Sequence, residues 1–268
     1  MLHARRHDVV GTYFKNDVSG PRELDRLDIC DEGEVGSAIG AAKPDILMHL
    51  AYDRKDFADT VVKGTRNILK AAQSLERRCR VIFLSSDAVF DGESPPYREQ
   101  DIPRPVFPYG EAKRAAERDV LAQGGHVVRT SLVYGFNPPD SRTETLLKGL
   151  DTGRFDFPYF TDEIRCPLYV EDLCRSLLEI AELNEAPFLF HVAGPESLSR
   201  YAFAKKLALL WGYDDRLIPA GRLSESGQQR PRDVTLDTTL ARTILKTRIR
   251  RVEDLPVAEM SVRKGQAF

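Results

Sequence analysis

The residues of this sequence whose types and spacing could do chemistry are two serines closing an apolar run and, further on, a tyrosine and a lysine four residues apart. Val81-Ile-Phe-Leu84 runs into Ser85-Ser86-Asp87, and Tyr109 and Lys113 follow Pro108 in a segment with helical spacing. In an open α/β sheet, polar residues at the carboxyl end of a strand open onto the ligand crevice. Tyrosine and lysine at a separation of four share one face of a helix, and a cation beside a phenol lowers its pKa. Such a pair can pass a proton to or from an alcohol oxygen while hydride is exchanged at the adjacent carbon. On this reading Tyr109 is the acid, Lys113 holds the ribose of a nicotinamide and biases the phenol, and the Ser86 hydroxyl bonds the substrate carbonyl oxygen.

The Tyr-x-x-x-Lys spacing is weak evidence by itself, because a chain with 9 tyrosines produces it by chance. Tyr201 and Lys205 repeat it within SLSRYAFAKKLALLWGY. There the apolar residues recur at helical spacing, which predicts a packing role. What separates Tyr109 and Lys113 is the strand and serines in front of them.

The elements that must position these residues alternate along the chain. Asp8–Phe14, Asp45–Leu50, Arg80–Ser85 and His126–Ser131 read as short buried strands. Helical patterns cover 55–74 and 109–122 between them. The expected fold class is therefore α/β: a doubly wound, Rossmann-type parallel sheet with a smaller C-terminal substrate lobe. Residues 1–136 form the dinucleotide-binding core on this reading, 137–268 form mainly the substrate lobe, and about 165–193 return to the core. Further helices are predicted at Val170–Leu183 and Leu198–Trp211. The glycines of DEGEVGSAIG imitate a phosphate loop, but their spacing is wrong and Asp31, Glu32 and Glu34 would repel a pyrophosphate. A helix starting near Asp31 and ending before Pro44 accounts for them better.

Composition narrows the function further. With Lys+Arg 39 against Asp+Glu 41, the net charge of −2 supplies no basic field for nucleic acid. No apolar run approaches a membrane span, and MLHARRHD lacks the apolar stretch of a signal peptide, so a cytoplasmic protein is expected. Cys30, Cys79, Cys166 and Cys174 are scattered without metal-binding spacing, and no metal is assigned.

At these residues the chain resembles the extended short-chain dehydrogenase/reductase superfamily, and most closely the dTDP-4-dehydrorhamnose reductase family of sugar-nucleotide reductases. The resemblance runs through Leu27-Asp-Ile29, Leu50-Ala51, Gly64-Thr65-x-Asn67, Ser85-Ser-Asp-x-Val-Phe-Asp-Gly92, Tyr109-Gly-x-x-Lys113 and Arg129-Thr-Ser-x-Val-Tyr-Gly135. It continues through Val170-x-Asp-Leu173, Gly194-Pro-x-x-Leu-Ser199 and Arg230-Pro-Arg232. It implies a catalytic set of Ser86, Tyr109 and Lys113. It also implies that NADP(H) or NAD(H) is bound along Asp28, Ile29, Leu50, Ala51, Tyr52, Ser85 and Lys113, and that a nucleotide-sugar meets Val89, Phe90, Arg230 and Arg232. A homodimer is open to such a protein. Lys15 could meet a 2′-phosphate, which points mildly to NADPH.

Several positions depart from the family pattern. Ala88 and Leu132 stand where the reductases usually carry Tyr and Trp, and Val61 where much of the superfamily has Asn. The family's first strand and glycine-rich turn are not found, and residues 1–7 read as the tail of the helix that follows them. Strand 1 lies between strands 2 and 4 in the doubly wound order, so its absence leaves two interior edges. The expectation is that the sequence starts at an internal methionine of a longer product; otherwise the chain closes the gap or borrows a strand. The function expected is NAD(P)-dependent reduction of a nucleotide-linked 4-keto-sugar. The alternative is a non-catalytic regulatory or binding protein on the same scaffold, like the methionine adenosyltransferase regulatory subunit.

Overall fold

The computed structural model describes residues 7–15, 24–51, 53 and 56–255. The chain divides into two compact units, one made of Met1–Ser85, Pro108–Val128 and Ile180–Leu189, the other of Ser86–Phe107, Arg129–Glu179 and Phe190–Phe268. The two units interleave along the chain. Three strands, Arg80–Ser86, His126–Thr130 and Leu189–His191, begin in the first unit and have their last residues in the second.

In the first unit, strands β1 (Thr12–Tyr13) and β2 (Asp25–Arg26) pair in parallel. Strands β3 (Ile46–His49), β4 (Arg80–Ser86), β5 (His126–Thr130) and the strand Leu189–His191 form a separate four-stranded sheet, ordered Leu189–His191, β5, β4, β3. The register of β3 on β4 is parallel, with Ile46 opposite Arg80 and His49 opposite Phe83. The split of the sheet falls at the position expected from sequence: β1 and β3 each end their own sheet. Of the strand read at Asp8–Phe14, only two residues pair, matching the two that β2 offers.

Helix α1 (Glu32–Ala42) starts where Asp31 accepts the Glu34 N–H and stops at Lys43, whose φ of 43° is left-handed. It buries Val35 and Ile39 against Ile29 and Ile68. A π-helical turn, Ala58–Lys63, leads into α2 (Gly64–Gln73). Val61 is fully buried in that turn. Helix α3 (Pro108–Ala122) begins on a proline, which suits a first turn whose N–H groups have no helical partner. Its buried face is unusual for a helix over a sheet. Beside Ala112, Ala116 and Val120 it carries Lys113 and Glu117, one turn apart.

In the second unit, α4 (Ser141–Thr152) is capped by Asp140 and closed by Gly153 at φ 67°, a value at which a side chain is strained. Helix α5 (Val170–Glu182) and helix α6 (Arg200–Leu210) match the segments expected to be helical. An aromatic core of Tyr134, Phe136, Tyr169 and Phe203 packs here, with Leu132 among it. Asp172 is fully buried and takes both the backbone N–H and the guanidinium of Arg250, fastening the C-terminal segment to α5. Lys205 lies 5.4 Å over the Tyr201 ring and pairs with Asp215 at 2.9 Å.

Candidate active site

Strand β4 and helix α3 bring the first group of candidate residues together. Lys113 is 3% exposed; its ammonium donates to the Leu84 carbonyl at 2.8 Å and stands 4.5 Å from the Phe83 ring centroid and 5.9 Å from that of Tyr109. Tyr109 is half-buried, and its ring packs at 5.1 Å on Phe57. Burial pushes Lys113 down to about 8, while the Glu117 carboxylate pulls the other way. His49, on β3, bonds Thr65 Oγ1 at 2.9 Å; burial first, and the Lys113 cation second, push it down to about 3. Near neutral pH this corner holds a neutral imidazole and a lysine whose proton is easily exchanged.

Ser85 turns inward. It is 2% exposed, and its hydroxyl donates to Glu117 Oε1 at 2.5 Å. Of the residues expected along a dinucleotide, Asp28 accepts the Cys30 N–H on Oδ1, and Ile29 is buried with its carbonyl taking the Asn67 amide. Leu50 and Ala51 are exposed. Tyr52 lies outside the described residues. Lys15 pairs with Asp53 at 2.8 Å.

The second unit holds the other candidates. Ser86 Oγ accepts the Ala88 N–H and donates to Asp87 Oδ1 at 3.0 Å. Asp87 is buried, its Oδ2 accepts from Ser131, and the Arg165 Nε lies 3.9 Å away. Burial raises the Asp87 carboxyl against the pull of that guanidinium. Val89 and Phe90 are fully buried in a core with Tyr97, Cys166 and Leu236, and Phe90 stacks on Tyr97 at 4.1 Å. The turn Asp87–Val89 carries both inward, so packing is what their side chains do in this structure.

Arg230 is half-exposed and stands 3.9 Å from Glu163. The Arg232 side chain is exposed, while its carbonyl accepts from Ile164 N and Arg165. Sequence reasoning missed what gathers around this loop. Arg165 is buried and pairs with Glu163 at 3.1 Å. Arg200 is pushed down to about 10 by burial, with Glu163 opposing and Arg142 and Arg165 adding to the push. Three guanidiniums, those of Arg165, Arg200 and Arg230, thus face the buried Glu163 carboxylate, and Arg165 also lies beside Asp87. Such an excess of planar, bidentate donors suits an anion of the phosphate class.

The family model for the RmlD substrate binding domain matches residues 3–258. The chain belongs to that family. Methionine adenosyltransferase 2 subunit beta of Bos taurus is 30% identical over 246 residues, covering 83% of this chain and 71% of that protein. The spore coat polysaccharide biosynthesis protein SpsK of Bacillus subtilis is 26% identical, covering 77% of this chain and 75% of its own length. Among solved structures, a hypothetical dTDP-4-dehydrorhamnose reductase from Sulfolobus tokodaii superimposes with a TM-score of 0.81 at 26% identity, covering 97% of this chain and 93% of its own. The dTDP-4-dehydrorhamnose reductase of Bacillus anthracis, solved in complex with NADP, gives 0.74 at 25% identity over 85% of this chain and 84% of its own. The α/β fold is thus that of the Rossmann-type reductases named from the sequence.

Proposed function

We propose that the protein is an NAD(P)-dependent reductase of a nucleotide-linked 4-keto-sugar, with Tyr109 as the proton donor. The observation that carries this reading is the Lys113 ammonium fixed between the Leu84 carbonyl and the face of Tyr109. A cation held there favours the phenolate left when Tyr109 gives its proton to the sugar oxygen. In the second unit, the Ser86 hydroxyl suits a carbonyl oxygen and the arginines around Glu163 suit the diphosphate of a nucleotide-sugar.

A nicotinamide dinucleotide, when bound, supplies the hydride. The residues fit its two ends. Lys113 suits the nicotinamide ribose, and Asp28, Ile29, Leu50 and Ala51 suit the adenosine. For the pyrophosphate the described residues are less suited, since α1 opens on Asp31, Glu32 and Glu34. That acidic turn, with the 30% identity to a methionine adenosyltransferase subunit, favours a second reading in which the protein binds and regulates a partner without catalysis.

Incubating the protein with NADPH deuterated on its transferable carbon and a dTDP-linked 4-keto-sugar separates the two. Deuterium at the sugar C4 supports the reductase. No transfer, together with co-elution of the chain with a methionine adenosyltransferase catalytic subunit, supports the regulator.

A further inference from the structure

Nothing in the assignment of Tyr109 and Lys113 calls for Glu117, yet this carboxylate is 3% exposed on the face of α3 that covers the sheet. Burying a carboxylate is costly unless it is paired and hydrogen-bonded. Two neighbours meet that need. The Ser85 hydroxyl donates to its Oε1, and Lys113 lies one turn earlier on the same helix face. Ser85 is the residue after Leu84, whose carbonyl receives the Lys113 ammonium. Two consecutive residues at the end of β4 therefore hold the two charges of α3, the carbonyl taking the cation and the hydroxyl the anion. Titratable groups face Lys113 from two elements: Glu117 and Tyr109 on α3, and His49 on β3.

We propose that Glu117 is a positioning residue, the buried counter-charge that keeps the Lys113 ammonium on the Leu84 carbonyl beneath Tyr109, with Ser85 aiming the carboxylate. The inference rests on the reading of Lys113 as the partner of Tyr109. Without the carboxylate, burial favours the neutral amine, which has lost the charge that stabilises a phenolate. A Ser85–Glu117 bond that served packing alone would tolerate glutamine, because the glutamine carbonyl still accepts the serine proton.

The full chain, carrying lysine enriched in ¹³C at Cε, is titrated by NMR, with the Lys113 signal assigned through Lys113→Arg. Glu117→Gln is expected to lower the Lys113 midpoint by one unit or more, Glu117→Asp by a smaller amount, and Ser85→Ala least of all. In turnover, Glu117→Gln lowers kcat about threefold or more at pH 7.5, and shifts the alkaline limb of the kcat profile to lower pH in step with the lysine, while KM for the nucleotide-sugar changes less than twofold. An unmoved Lys113 midpoint in folded Glu117→Gln overturns the proposal. If that variant does not fold, an unmoved midpoint in Glu117→Asp does so. A midpoint that moves in a chain without reductase activity leaves the pairing standing and removes the reductase reading; an unmoved midpoint in a chain that Tyr109→Phe inactivates does the reverse.

Discussion

Replacing Tyr109 by Phe deletes one oxygen from a half-buried ring and leaves the ring itself in place. The packing at 5.1 Å on Phe57 and the Lys113 cation 5.9 Å from the ring centroid both survive the change. Stability should therefore move by no more than about 1 kcal/mol, the net worth of an ordinary hydrogen bond. Catalysis should suffer far more. Removing a positioned proton donor costs about 10²- to 10⁴-fold in kcat, or roughly 3–5.5 kcal/mol of barrier. The assay follows NADPH absorbance with a dTDP-linked 4-keto-sugar, beside thermal melts of both proteins. Loss of kcat at unchanged melting temperature and unchanged NADPH affinity is the expected result. Turnover equal to that of the parent protein, or a rise in KM alone, would refute Tyr109 as the donor, because a group acting only in the transition state cannot leave kcat untouched.

Three further outcomes follow from charges in the structure. Asp172→Ala removes the fully buried carboxylate that the Arg250 guanidinium bonds at 2.8 Å; a loss of roughly 3–5 kcal/mol and a fall of about 6–20 °C in Tm are expected by calorimetry, and an unchanged Tm contradicts it. His49 and His191 are each pushed down to about 3 by burial, so below the ordinary histidine pKa the unfolded chain takes up protons that the folded one refuses. Stability present above pH 6.5 is lost as the pH falls, by about 4 kcal/mol for the two between pH 7 and 5. Urea melts at those pH values measure it, and His191→Gln should remove about half the difference. Arg230→Ala, at a half-exposed side chain, should raise KM for the nucleotide-sugar about tenfold and leave kcat and Tm nearly unchanged; a fall in kcat at constant KM would take Arg230 out of substrate binding.

Much of the fold could be read from the sequence because its signals were local. Apolar spacing and Pro108 located α3 to within a residue, and the acidic start of DEGEVGSAIG located α1 on its Asp31 cap. Where pairing decides, local signals fail. The β-branched run Asp8–Phe14 promised a seven-residue strand, yet a strand is only as long as its partner, and β2 offers two residues. Likewise the pattern over 55–74 gave one helix, while the backbone runs through a π-helical turn before α2, a difference that side-chain spacing over a few residues does not resolve.

The chemistry was legible to the same degree and for the same reason. Tyr109 and Lys113 stand out because a phenol and a cation four apart make sense together whatever surrounds them. Glu117 has that same spacing from Lys113, but acidic residues on helices usually face water, so nothing local marks this one as buried. Only the approach of β4, which brings the Ser85 hydroxyl to it, turns an ordinary surface residue into a charge that must be matched. Arg165 and Arg200 carry the argument further. They lie 35 positions apart in sequence with no local spacing to join them, and they meet Glu163 and each other because the strand Ile164–Arg165 pairs with Leu198–Ser199, one residue before α6 begins. A site assembled by strand register is invisible until the register is known, whereas a site assembled by helix spacing is already written in the chain.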